Sequence, residues 1–220
     1  MILNDTKKEI EKTYRTMENF SSSRQWIISE AKNIVGACRA SISASHSANA
    51  AIPGNEDKKL SEAQENAEKA AGLLRNLQQK IKREYGKTWR QDLNEYLKNS
   101  EQEVVEAFSL LSIIKKKKIP SKEIIFRIKK PGSYMKTKST VKVSDEGYIF
   151  GLLDCVGELK RVIMDLQNRN DMDSSKETFV LMQNLFEMLE PFTNYSNSFT
   201  DLKPKIDSAR YSLNDAKRLQ

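Results

Sequence analysis

Two carboxylates, Asp154 and Glu158, stand in Tyr148-Ile-Phe-Gly-Leu-Leu-Asp-Cys-Val-Gly-Glu-Leu159, among the most apolar stretches of the chain. An i,i+4 spacing stacks them on one helix face with Cβ atoms ~5–6 Å apart. Like charges at that separation repel, and partial burial penalises their ionised forms. A divalent cation reverses both penalties. Glu103 and Glu106 form a second pair at i,i+3, beside Val104, Val105 and Phe108. If the two helices cross near these pairs, four carboxylates converge as hard oxygen ligands suited to Mg²⁺ or Mn²⁺ and not to Zn²⁺. Such an ion activates water for phosphodiester cleavage and stabilises the charge that develops. The competing reading is two unrelated pairs on solvated helix faces.

Other chemistry is scarce. The single histidine, His46, rules out sites built on several imidazoles, and its Ser/Ala-rich setting (SISASHSANAA) reads as a surface histidine with no catalytic triad. No glycine-rich phosphate loop occurs. Cys38 and Cys155 make no disulfide framework and no CxxC pair. Any catalysis must use carboxylates, lysines and metal.

The net charge of +7 is local. Residues 115–142 hold eleven Lys/Arg and one acid, Glu123, so the rest of the chain is slightly acidic. The lysines at 115–118 (Lys115, Lys116, Lys117, Lys118) with Lys129 and Lys130 suit a polyanion, with a solvated loop as the bland alternative. Phe126 and Tyr134 lie among them and could stack on bases. Arg161, one turn beyond Glu158, suits either a phosphate or an ion pair with Glu158 or Asp165, and the ion pair is favoured.

Positioning these groups requires helices. With 220 residues, 8 Gly and 5 Pro, the chain suits long helices and not a many-turned β fold. We expect one all-α domain spanning 1–220, with six or seven helices and a basic connection over 115–143. Thr6-x-x-Glu9, Ser61-x-x-Gln64 and Ser174-x-x-Glu177 read as capping boxes, and Ser144 as the cap of the Asp154 helix. Ser21 to Ser23 read as an interruption of the first helix, and Ile124 to Ile128 as a short strand-like or helical turn. The last helix reads as roughly Asn197 to Leu219, with Pro204 tolerated only near its first turn. Gly147 and Gly151 read as close-packing positions. No apolar run reaches the ~20 residues of a membrane span, and Met1 to Phe20 is too charged for a signal peptide. The expectation is a soluble, cytoplasmic protein.

Tyr148-x-x-Gly151-x-x-Asp154-x-x-Gly157-Glu158-Leu159-x-Arg161 resembles the signature helix of the translin superfamily. Glu103-Val-Val-Glu106-Ala107-x-Ser109 resembles the paired-glutamate helix of its catalytic branch, translin-associated factor X. Lys118-Ile-Pro-Ser-Lys-Glu-Ile124 is similar to the connection of archaeal members. One departure is Asp171 to Phe179, which lacks the family's proline. The resemblance implies a helical bundle assembling into a closed, barrel-like homo-octamer or other homo-oligomer, with hetero-assembly with a translin-like subunit as a further option. It implies a Mg²⁺-dependent endoribonuclease acting on single-stranded RNA, with DNA as a possible ligand. Glu103, Glu106 and Asp154 then take the metal-binding catalytic positions and Glu158 the adjoining acidic one. Two rivals remain from sequence: a non-catalytic single-strand binder, and a helical interaction protein whose lysines meet an acidic partner.

Overall fold

The computed structural model describes residues 2–49, 55–85, 89–116, 118–129 and 136–220. Pro53, Gly54, Gly86, Thr88, Tyr134, Lys117 and Lys130 lie outside them. Six helices carry the architecture: α1 (Ile2–Asn49), α2 (Glu56–Tyr85), α3 (Trp89–Ile114), α4 (Asp145–Asn168), α5 (Met172–Leu189) and α6 (Leu202–Arg218). The expected helical bundle is what forms.

Helix α1 continues through Ser21–Ser23, contrary to the expected interruption. Serine lowers helix propensity only slightly, and Ser23 Oγ satisfies itself on the Asn19 carbonyl at 2.7 Å. The helix is about 70 Å long. Residues 6–22 are exposed on every face, and the core begins at Ile27 and Ile34. Thr6 and Ser61 fall inside α1 and α2, which open before them. Ala63, Ala67, Ala70, Ala71 and Leu74 of α2 are fully buried, a small-residue stripe that lets α2 approach α1. There Ser41 Oγ donates to the Ala63 carbonyl at 2.8 Å.

The basic connection is not a helical turn. It folds into an antiparallel hairpin, β1 (Glu123–Lys129) with β2 (Lys136–Lys142), in the register Phe126↔Ser139. Alternation explains this: Ile124 and Phe126 point inward and are buried, while Ile125 and Arg127 point outward. Phe126 reaches α2 at Gly72, where a side chain's Cβ would lie 3.7 Å from the ring.

Helices α3 and α4 cross closely because α4 lacks side chains at the crossing. A Cβ on Gly151 would stand 2.5 Å from the Gln102 carbonyl oxygen, and one on Gly147 would stand 2.8 Å from Glu101 Cβ. Both distances are shorter than real contacts, so the close-packing reading of these glycines holds. Ser144 caps α4 as expected, its hydroxyl accepting from the Gly147 N–H at 3.1 Å. Glu101, fully buried, adds a carboxylate at this N-terminus: it accepts from the Ser144 N–H at 2.7 Å and from Gln78 Nε2 at 2.8 Å.

Two boundaries differ from expectation. Asp171, not Ser174, caps α5, with Oδ1 accepting from the Ser174 N–H at 3.2 Å. The segment 190–201 forms a 3₁₀ stretch (Glu190–Tyr195) and turns, so α6 starts at Leu202 and not near Asn197. Pro204 does lie in its first turn. Buried Ile206 and Ala209 seat α6 in the core, and Lys160 of α4 holds Asp215 of α6 at 2.6 Å.

Candidate active site

The α3–α4 crossing brings the two acidic pairs to one place. Glu106 is 9% exposed, and burial raises its carboxyl to about 8, helped by repulsion from Asp154, Glu103 and Glu158. Glu103 is half-buried and also raised, first by burial; Arg39 opposes this and Asp154 adds to it. Neither glutamate has a hydrogen-bond or ion-pair partner among the described residues.

Asp154 and Glu158 differ, because protein cations already hold them. Lys205 Nζ of α6 lies 2.7 Å from Asp154 Oδ1 and 2.9 Å from Oδ2, and Gln102 Nε2 donates to Oδ2. Glu158 Oε2 lies 2.5 Å from His46 Nε2 and 3.0 Å from Arg161 Nη1. Burial alone would raise Glu158, but the His46 hydrogen bond and the Arg161 charge overcome it and hold the carboxyl below its usual range. Arg161 thus makes the ion pair favoured from sequence.

His46 is not a surface histidine. Its side chain is 11% exposed, and Nδ1, 3.5 Å from Asp165 Oδ2, has no hydrogen-bond partner. With Arg39 and Ser43 it forms an α1 wall of a cavity of about 450 Å³ that Glu103, Glu106 and Glu158 line from the other side. Sequence reasoning missed this wall. Its signal was present: Arg39, Ser43 and His46 fall at i, i+4 and i+7, one polar face in a stretch, Ile34 to Ala48, whose other positions are small or apolar. Lys205 and Gln102 carried no such signal, since their role depends on which helix packs against α4. The buried thiols of Cys38 and Cys155 are raised, chiefly by burial, and are inert.

Lys115, Lys116 and Lys118 of the lysine cluster lie elsewhere. Lys115 hydrogen-bonds Gln64 at 3.1 Å, Lys116 pairs with Glu177 at 3.5 Å across solvent, and Lys118 is exposed. None lines the carboxylate cavity; Lys115 is nine residues beyond Glu106, about 13 Å along the helix. Lys129 closes β1. The hairpin's outward face places Arg127 opposite Lys138, both exposed.

A divalent ion fits the donors by chemistry and by charge: hard oxygens, with the burden of repulsion on Glu106. Its enclosure is not preformed, since among the described residues no three His, Cys, Asp or Glu side chains stand close enough to share one ion.

A helical bundle with a carboxylate cavity at a glycine-lined helix crossing defines the class. The chain belongs to the translin family, whose profile it matches over residues 6–218. An uncharacterised protein of Methanocaldococcus jannaschii is 33% identical over 116 residues, a match that spans 52% of this chain and 45% of that protein. Among solved structures, AfC3PO in complex with duplex RNA superposes with a TM-score of 0.71 at 21% identity, covering 96% of this chain and 93% of that one. AfC3PO alone gives 0.70 at 21% identity, covering 96% and 94%. Apo-NeC3PO gives 0.57 at 18% identity, covering 95% and 94%. At these identities the structural likeness establishes the fold. No helix among the described residues is long and apolar enough to cross a membrane.

Proposed function

We propose that this chain is a Mg²⁺- or Mn²⁺-dependent endoribonuclease of the catalytic, translin-associated factor X branch, acting on single-stranded RNA. The observation that carries this reading is the convergence of Glu103, Glu106, Asp154 and Glu158 around the α3–α4 crossing, with Glu106 raised by burial first and by its acidic neighbours second. Glu103 and Glu106 would hold the ion, Asp154 would contribute an oxygen, and Glu158 is oriented by His46 and Arg161. The ion, when bound, supplies water activation and stabilises charge on the phosphate. The chain's own groups do the rest. Arg39, with no ion-pair partner among the described residues, faces the cavity and is free to take a phosphate oxygen. The outward face of the hairpin holds the backbone of the strand without reading bases.

RNA as the ligand agrees with the structural neighbour that holds duplex RNA. A homo-oligomer, the closed octamer of the family resemblance, agrees with the uncovered stripe of Ile10, Tyr14 and Met17 on α1, each 63–67% exposed. The test is incubation of the purified protein with labelled single-stranded RNA, with Mg²⁺ or with EDTA; metal-dependent fragments support the reading, and intact RNA in both opposes it.

One observation favours a second reading. Asp154 is already held by Lys205 and the carboxylates do not enclose an ion as they stand, which suits a non-catalytic RNA-binding protein. That reading expects salt-dependent RNA or DNA binding with no cleavage product.

A further inference from the structure

The carboxylate cavity has a neighbour along the same two helices. Lys98, Asn99 and Gln102 of α3 line a second cavity, of about 710 Å³, and Glu103 and Glu106 follow in the first. On α4, Glu146 and Phe150 line the second cavity and Glu158 and Arg161 the first, with Asp154 between them in sequence. Glu146, Phe150, Asp154 and Glu158 recur at every fourth residue, each step rising about 6 Å along one helix face. The two cavities therefore lie in line. Gln102 and Lys205, which line the second, both reach Asp154.

Another wall of the second cavity is the turn that leads into α6, with Ser198, Phe199, Thr200 and Asp201. This turn is anchored. The Ser198 N–H donates to the Tyr195 carbonyl at 2.9 Å, the Leu202 N–H donates to the Phe199 carbonyl at 3.3 Å, and Leu202 is buried. Asp201 turns the chain with a left-handed φ of 70°, a conformation aspartate tolerates better than most residues. Phe199 is thus presented without being buried: it is 44% exposed and has no ring or cation contact among the described residues.

Resting on the nuclease reading above, we propose that this second cavity is a base subsite. It takes one unpaired nucleobase of the RNA strand, stacked on Phe199, while a neighbouring phosphate of that strand lies at the carboxylate cavity. Its volume suits such a ligand. Three observations favour a base over a phosphate or an apolar side chain. The cations are engaged: Lys98 is paired with Glu146 and Lys205 with Asp154, and their ammoniums lie 4.5 and 5.6 Å from the centre of the Phe150 ring. The lining charge with no partner among the described residues is a carboxylate, Asp201, which does not cap α6 and repels a phosphate. The side chains of Asn99, Ser198 and Thr200 also have no hydrogen-bond partner among the described residues, and an apolar occupant would cover them without bonding them. A base brings a π face for the phenyl ring and N–H and carbonyl groups at its edge for these side chains. Stacking is open to every base, so the subsite selects an unpaired strand and not a sequence. A duplex must first unstack and unpair a base to enter it.

The experiment is equilibrium binding of short RNA to the assembled protein in EDTA, which reads the subsite without cleavage. Phe199→Ala should weaken binding of single-stranded RNA at least about fivefold and leave the slope of log Kd against log salt unchanged, since no phosphate contact is lost. Phe199→Tyr should recover most of the affinity. An abasic strand of the same length should bind the native protein and Phe199→Ala alike. Equal single-strand affinity in the native protein and Phe199→Ala overturns the inference. So does a loss that appears equally on the abasic strand or that lowers the salt slope, which marks a phosphate site. A change in assembly mass in Phe199→Ala, read by light scattering, also overturns it by giving Phe199 to a second copy of the chain. Cleavage with Mg²⁺ is scored separately. Phe199-dependent binding by a native protein that cuts nothing supports the subsite and overturns the nuclease reading. Metal-dependent cleavage alongside native affinity in Phe199→Ala does the reverse.

Discussion

Gly151 of α4 lies so tightly against Val105 of α3 that a Cβ on the glycine would stand 2.6 Å from the valine Cβ. The same Cβ would stand 2.5 Å from the Gln102 backbone oxygen, which cannot rotate away. The placing of the two acidic pairs rests on this contact, because Val105 lies between Glu103 and Glu106, and Gly151 lies one turn before Asp154. Gly151→Ala should force the helices apart and cost about 1–3 kcal/mol. For a chain of this size that lowers Tm by roughly 2–4 °C per kcal/mol. Cleavage should fall further than stability does. Thermal melts and rates on the same preparation check this; a variant with native Tm and native rate contradicts it.

Glu106 makes the ion-free protein sensitive to base. Its folded carboxyl is raised to about 8 from a reference of 4.5, so the folded state binds the extra proton between those values. Stability therefore falls as pH rises from 4.5 through about 8, the sign expected for a folded-state group that prefers to be neutral. Glu106→Gln should remove that slope and raise the ion-free Tm at pH 8.5 by several degrees or more. Mg²⁺ should stabilise the native protein more at pH 8.5 than at pH 6, and Glu106→Gln scarcely at either. Melts across pH, with and without Mg²⁺, measure all of this.

His46 holds Glu158 at 2.5 Å from within α1. His46→Ala should leave Glu158 held by Arg161 alone and slow cleavage about tenfold with little change in RNA affinity. His46→Gln, whose amide nitrogen can replace Nε2, should recover part of the rate. Equal losses in both variants would mean that the contact is packing alone.

The Arg127–Lys138 pair sets two like charges directly opposite on an exposed hairpin face. Opposed like charges destabilise a hairpin, and a polyanion across them removes the penalty. Arg127→Ser with Lys138→Ser should weaken RNA binding and reduce the salt slope of log Kd by up to about 2. The hairpin itself should become no less stable. An unchanged salt slope would place the RNA elsewhere.

Much of the fold was legible in the sequence because few residues break helices. Ser144 was readable as a cap because its hydroxyl bonds a backbone N–H three residues on, a local interaction. Gly147 and Gly151 were readable because a helix accepts interior glycine only for a reason such as close packing. The boundaries were less legible. Ser174-x-x-Glu177 has the pattern of a cap, but Asp171 lies ahead of it and takes the Ser174 N–H first. The hairpin was hidden because its alternation over Ile124 to Ile128 is short and surrounded by lysines.

For the site, the i,i+3 and i,i+4 acidic pairs were visible along the chain, but their protein partners were not. His46 is 112 residues from Glu158, and Lys205 is 51 from Asp154. Such contacts depend on which helices pack together, and no local pattern encodes that. Lys115, Lys116 and Lys118, conspicuous in composition, do not line the carboxylate cavity; Arg39 and Arg161 line it, and Lys205 reaches Asp154 from the far side.

The central claim is that carboxylates gathered at the α3–α4 crossing hold an ion that cuts RNA. The direct measurement is cleavage of labelled single-stranded RNA by the native protein, Glu106→Gln and Asp154→Asn, each with Mg²⁺ and with EDTA. Our account predicts fragments from the native protein with Mg²⁺ alone, and a rate at least about 100-fold lower in both variants, which still bind RNA. Fragments that persist in EDTA, or native rates in either variant, would contradict it.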